Sequence, residues 1–247
     1  MHQKILERIL AKEPTKYITP GSTPVISFGD FTTATLATLG INPSSKEFLA
    51  GDKLRVKGKK RLSDKESLGI GIGDPIREEH APAIWNGCIN YFSPSGHRYA
   101  WFKDLDQVLI HTGRSYADGS TCHIDLVQWA TSPAWKEIPK DAQRTLIEQD
   151  FNFFKFQVAQ ENLRTLVVNG RAVYNVISKI EGFNIEIVGK YEYKIDGKAT
   201  TSELFEGAGP GNKKVLGWTG TLKSLRISPS ERERIYSMLA SWISARL

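Results

Sequence analysis

Cysteine is scarce: Cys88 and Cys122 are the only two in 247 residues. They lack CxxC spacing, which excludes a disulfide framework, a structural zinc site and an iron–sulfur cluster. Both read as reduced thiols of a cytoplasmic protein. No apolar run approaches the ~18 residues of a membrane span, so no membrane partner is expected. Internal repeats and low-complexity linkers are absent too, and a single domain over 1–247 is the simplest reading. Also missing are GxSxG, HExxH and the kinase signatures. GIGIGD, Gly69 to Asp74, resembles a phosphate loop only in part. GxGxxG needs glycine where Asp74 or Ile76 stands, and no Walker lysine follows. Asp74-Pro75 reads instead as a helix N-cap and first position.

What is present is an ordinary globular composition, 40% hydrophobic and 24% charged. A chain of this length buries enough apolar surface to fold without a metal or cofactor, and none is expected. The net charge of +6 is compatible with a polyanionic partner. It is concentrated in LAGDKLRVKGKKRL, where Lys53, Arg55, Lys57, Lys59, Lys60 and Arg61 crowd together within a basic insertion over about 46–68. That run is either a solvated loop or a set of phosphate contacts.

MHQKILERILAKEP has charges scattered among its apolar positions. This predicts an amphipathic helix over 2–12 and not a secretory signal. PVISFGD, Pro24 to Asp30, reads as a peripheral strand. Four short β-rich runs follow: ATLATL (34–39), CHIDLVQ (122–128), RTLVVN (164–169) and KKVLGW (213–218). Helical segments separate them, namely KDAQRTLIEQDFNFFKFQVAQEN after Pro139, RAVYNVISKI after Gly170, and a last helix. Ser228, Pro229 and Glu231 give that last helix a capping-box start. Alternating strands and helices predict an α/β fold, a three-layer α/β/α sandwich on a mostly parallel four-stranded sheet. Ligands of such sheets bind at the carboxyl ends of the strands. The exits to inspect are Gly40–Ser45, Leu126–Thr131, Asn169–Arg171 and Gly217–Leu222.

In GINPS, Gly40 permits a sharp turn and close backbone approach, and Pro43 holds Asn42 extended. Ser44 or Ser45 can cap a following helix. An amide held this way cannot take up a proton, but it can orient a water and accept its hydrogen bond. Turn chemistry explains the same residues. His123 and Asp125, two apart in a strand, face the same side. They can bind a metal, orient an imidazole, or form a buried polar pair. FSPSGHRYAWFKDL, Phe92 to Leu105, is dense in aromatics that are either core or a stacking surface for a base.

Taken together, the exits resemble the uracil-DNA glycosylase superfamily. GINPS is similar to its first motif, in the asparagine form of the mismatch-specific uracil/thymine glycosylases. HIDLVQ resembles its second strand, LRTLVVNGRAVYNVI its third strand and following helix, and GWTGTLKSLRISPSERERI the position of its second catalytic motif. The resemblance spans roughly residues 30 to 245. It implies a DNA glycosylase-like hydrolase of N-glycosidic bonds, acting in DNA repair on a flipped base. Asn42 would place the attacking water. Thr219, Thr221 or backbone N–H groups of the Trp218–Leu222 loop would stabilise the leaving base, with Leu222 as a wedge. Phe92 or Tyr91 would stack on the base and Asp125 would read its edge, with Gly40, Ile41, Pro43, Ser44, His123, Asn169 and Trp218 lining the site. Arg171 would support it. Arg55, Lys57, Lys59, Lys60 and Arg61 would hold the DNA backbone.

Two departures are visible. The segment Gly217 to Leu222 contains no His-Pro-Ser, and the base-reading position carries Asp125, a carboxylate that only accepts hydrogen bonds when ionised. It suits an edge rich in N–H groups and would repel the O4 of uracil. They motivate an alternative: a catalytically inactive nucleic-acid-binding protein on the same scaffold. A metal-assisted hydrolase built on His123 and Asp125 is a third reading.

Overall fold

The computed structural model describes residues 1–50, 53–54, 62–93, 101–195, 197–222 and 227–247. Among them lie six α-helices and a central mixed sheet of six strands. The chain divides into two compact units. One comprises Met1–Phe31, Gly40–His97 and His123–Gln157; the other comprises Thr32–Leu39, Arg98–Cys122 and Val158–Leu247. No helix among the described residues is long and apolar enough to cross a membrane.

All four expected strands form. They are β1 (Leu36–Gly40), β4 (Thr121–Asp125), β5 (Thr165–Asn169) and β8 (Lys213–Trp218). Leu49–Ala50 (β2) and Lys53–Leu54 (β3) make a separate antiparallel pair. The expectation of a four-stranded, mostly parallel sheet is corrected by a hairpin that it omitted. Asn184–Ile195 (β6) and Lys198–Gly209 (β7) pair antiparallel over their length, and β7 joins β8, giving the order β4-β1-β5-β8-β7-β6. Within the first four, β1–β5 and β5–β8 are parallel. The hairpin follows from alternation on one face. Tyr191 and Tyr193 are buried, whereas Lys190, Glu192 and Lys194 are not. Gly197 stands between the two strands with φ 78°, the left-handed backbone that glycine adopts at no steric cost in a tight hairpin.

In the first unit, α1 (Gln3–Leu10) buries Ile5 and Ile9, and α4 (Lys140–Val158) buries Leu146, Asp150 and Phe154. Ile18, Val127, Trp129 and Leu146 form a core cluster with Trp135 and Ile147 against it. PVISFGD is not the peripheral strand expected. Val25, Ile26 and Phe28 are buried. The stretch makes an isolated antiparallel bridge, Phe28 with His123, because its other backbone groups do not continue a ladder. Asp74 does not cap a helix. The next α-helix, α2 (Ala81–Ile89), starts further on, and the Asp74 N–H closes a turn onto the Gly71 carbonyl at 2.9 Å.

In the second unit, α3 (Trp101–Ile110), α5 (Arg171–Ile177) and α6 (Pro229–Ser244) accompany the strands. Ser228 caps α6 as expected, its Oγ accepting from the Glu231 N–H at 3.2 Å. The Glu231 carboxylate does not close the reciprocal half of a capping box. It accepts from Arg234 at 2.7 Å instead.

Candidate active site

At the β1 exit, Ile41–Ser44 lies alongside the segment that follows β4. The Leu126 N–H donates to the Gly40 carbonyl at 3.2 Å and the Val127 N–H to Ile41 at 2.9 Å. Ser44 bridges Thr131, and its Oγ accepts from the Lys46 N–H at 3.2 Å, capping the 3₁₀ turn Ser45–Glu47. Asn42 is half-buried between these segments. Its Nδ2 donates to Pro43 O at 3.0 Å, to Thr131 Oγ1 at 3.0 Å and to Trp129 O at 3.4 Å. Backbone carbonyls only accept, so they fix which end of the amide is nitrogen. Oδ1 faces away from this network and accepts no hydrogen bond among the described residues.

His123 and Asp125 share a face, as their spacing predicts. Each is 4% exposed, and His123 Nε2 lies 3.4 Å from Asp125 Oδ1. Both side chains lie over Gly40. A Cβ there would come within 2.2 Å of Asp125 Oδ1 and 2.8 Å of His123 Nε2. The glycine is required by this close approach, not by a left-handed backbone, for Gly40 has no positive φ. The His123 backbone exchanges two hydrogen bonds with Phe28, both 2.8 Å. The Phe28 ring lies 5.6 Å from the imidazole, Tyr91 meets Phe28 edge-on at 4.6 Å, and Phe92 meets Tyr91 edge-on at 5.1 Å. Tyr91 and Phe92 are therefore buried members of an aromatic cluster and present no open stacking face.

Two groups in this unit escaped the sequence reading. Glu47 is buried three residues after Ser44, and both its oxygens accept from the Tyr91 hydroxyl at 2.9 Å. Its signal was a glutamate three residues after a helix-capping serine, the spacing of a capping box. Behind the β4 exit, Arg8 of α1 donates to Asp150 of α4 at 2.9 Å and to Gln128 Oε1 at 3.1 Å. Gln128 in turn donates its N–H to Asp150 at 2.7 Å and its Nε2 to the Asp125 carbonyl at 2.8 Å. Burial depresses the Arg8 guanidinium and raises the Asp150 carboxyl, each opposed by the attraction of the other.

The remaining expected residues lie in the second unit. Asn169 ends β5 beside Trp218, which ends β8. Gly170 follows with φ 108°, and a Cβ there would come within 2.9 Å of Thr221 Oγ1. The Arg171 N–H donates to Thr219 O at 2.9 Å, and its guanidinium pairs with Glu203 at 2.9 Å. Thr219 is buried, and its Oγ1 accepts from the Glu203 N–H at 2.9 Å and from Arg171 Nη2 at 3.3 Å, with Ser202 Oγ at 3.2 Å. Two donors fill the two lone pairs of a hydroxyl, so its proton turns to Ser202 and none is left for a leaving group. Trp218 and Leu222 are fully buried, which takes Leu222 away from any wedge position on the surface. Arg55, Lys57, Lys59, Lys60 and Arg61 lie outside the described residues. Among the described residues, no group of three or more His, Cys, Asp or Glu side chains is placed to hold a metal.

Neither protein-family models nor curated proteins match this chain.

Proposed function

We propose that the protein hydrolyses the N-glycosidic bond of a damaged or mismatched base in DNA, on a uracil-DNA glycosylase-like α/β/α sandwich. The observation that carries this reading is the Asn42 amide. Its nitrogen is committed to Pro43, Trp129 and Thr131, which leaves Oδ1 as an oriented acceptor at a strand exit. In the reaction the C1′–N bond breaks, its electron pair leaves with the base, water adds to C1′, and the proton that the water loses passes through solvent to the departed base. A fixed acceptor holds that water along the line of attack without needing to take its proton. The gain is one of positioning, which a neutral amide can supply. Flipping a base into such a site costs roughly a few kcal/mol, least for a mismatched or damaged base. Phosphate contacts would offset this and make binding salt-sensitive.

The test uses duplexes and single strands carrying uracil, mismatched thymine, hypoxanthine or xanthine, followed by alkaline cleavage at abasic sites. Product from at least one lesion is expected. No product from any lesion contradicts the proposal. One observation favours a second reading, a nucleic-acid-binding protein without catalysis: the Thr219 hydroxyl is spent on Glu203, Arg171 and Ser202. Salt-dependent binding to every oligonucleotide with no base release supports that reading instead.

A further inference from the structure

Among the charged residues of α1, Lys4 and Glu7 are exposed and Arg8 is buried. Its guanidinium meets the Asp150 carboxylate of α4 at 2.8 Å, and both side chains are closed to solvent. A buried ion pair is a poor source of stability, because desolvating the two charges costs about as much as their attraction returns. The position of this pair supplies another use. Asp150 Oδ2 accepts from the Gln128 N–H at 2.7 Å, and Arg8 Nε donates to Gln128 Oε1 at 3.1 Å. Gln128, itself fully buried, returns its Nε2 to the Asp125 carbonyl at 2.8 Å. One residue on, the guanidinium stands over the Trp129 ring, 5.3 Å from its centroid. The Trp129 carbonyl and Thr131 Oγ1 are two of the three acceptors that hold Asn42 Nδ2. The clamp and the amide thus share one stretch of backbone, residues 125–131, within the first unit.

We infer that Arg8 is a positioning residue: with Asp150 it fixes the segment 125–131 from behind, and that segment fixes the direction in which Asn42 Oδ1 points. The planar guanidinium suits the task, since it donates to Gln128 and Asp150 at once while its face covers an aromatic ring. An amide turned by its acceptors is only as well aimed as those acceptors are held, and small misplacements of a positioning group are costly in rate. The inference rests on the reading of Asn42 as the group that holds the attacking water, and it makes the N-terminal helix part of the catalytic apparatus.

The test compares wild type with Arg8→Lys and with the double variant Arg8→Met/Asp150→Asn. The double variant strands no charge, and the amide oxygen it places at position 150 can still accept from the Gln128 N–H, so it should fold. Arg8→Lys keeps the ion pair but loses the planar fork. The first readout is the side-chain amide ¹⁵N–¹H pair of Asn42, assigned by its absence in Asn42→Ala. Both variants should shift it, the double variant further. The second is single-turnover base release from the lesion that gives product. The rate should fall about tenfold or more in the double variant and less in Arg8→Lys, with duplex affinity little changed. A lowered melting midpoint with both readouts unchanged means a purely structural pair and overturns the inference. So does a fall in rate with the Asn42 resonances unmoved, or moved resonances with the rate held. If wild type releases no base from any lesion, displaced Asn42 resonances leave the clamp standing while the hydrolase reading falls, and unmoved resonances remove both.

Discussion

Gly40→Ala is expected to destabilise the protein by about 1–3 kcal/mol, the usual range for overpacking a filled site. The added methyl would stand 2.2 Å from Asp125 Oδ1 and 2.8 Å from His123 Nε2, both far inside van der Waals contact. Neither side chain retreats freely. Each is 4% exposed. His123 is also held by its backbone to Phe28, and the Asp125 carbonyl by Gln128. Backbone strain contributes nothing, since Gly40 has no positive φ. In a chain of this size each kcal/mol moves the melting midpoint by roughly 2–4 °C. Urea denaturation of wild type, Gly40→Ala, Asp125→Ala and the double variant isolates the cause. Asp125→Ala removes the nearer clash, so the cost of Gly40→Ala should fall in that background. An equal cost in both backgrounds, or none in either, refutes the packing of Asp125 and His123 over the β1 exit.

The Arg8–Asp150 pair is expected to behave as a buried ion pair. Removing one partner, as in Arg8→Met, strands the other charge and costs about 3–5 kcal/mol in urea denaturation. The Asp150 carboxyl is raised by burial. Its contribution to stability is therefore greatest below the ordinary carboxylate range and is lost as pH rises through the folded-state value. Wild type should thus gain on Asp150→Asn as pH falls from neutral; a difference independent of pH would contradict this. Burial pushes the Cys88 thiol up to about 11, and Cys122 is buried as well. Native protein should resist a thiol reagent at neutral pH and react fully once unfolded. Rapid labelling of the folded protein would count against the packing around α2 and β4.

The sequence was most informative where a periodic pattern and a local rule coincided. Short apolar runs between helical segments located β1, β4, β5 and β8, and a serine before Pro229 located the start of α6. It was least informative where a residue's task is set by distant neighbours. Gly40 reads as a turn glycine, yet what demands it is a pair of side chains from residues 123 and 125. Arg8 reads as a surface charge on an amphipathic helix, but its partners come from residues 128 and 150. Tyr91 and Phe92 invite a stacking role, and their burial against Phe28 comes from tertiary packing. The β6–β7 hairpin was legible in the alternation of KYEYKI and in Asp-Gly. The runs named from the sequence leave the stretch between RAVYNVISKI and KKVLGW unassigned.

The central claim concerns Asn42, and single-turnover base release is its most direct measurement. The lesion that gives product is compared between wild type and Asn42→Ala, with duplex affinity and melting midpoint measured alongside. Loss of a water-positioning group predicts a fall in rate of about a hundredfold or more with affinity little changed. Equal rates in the two proteins would contradict the account.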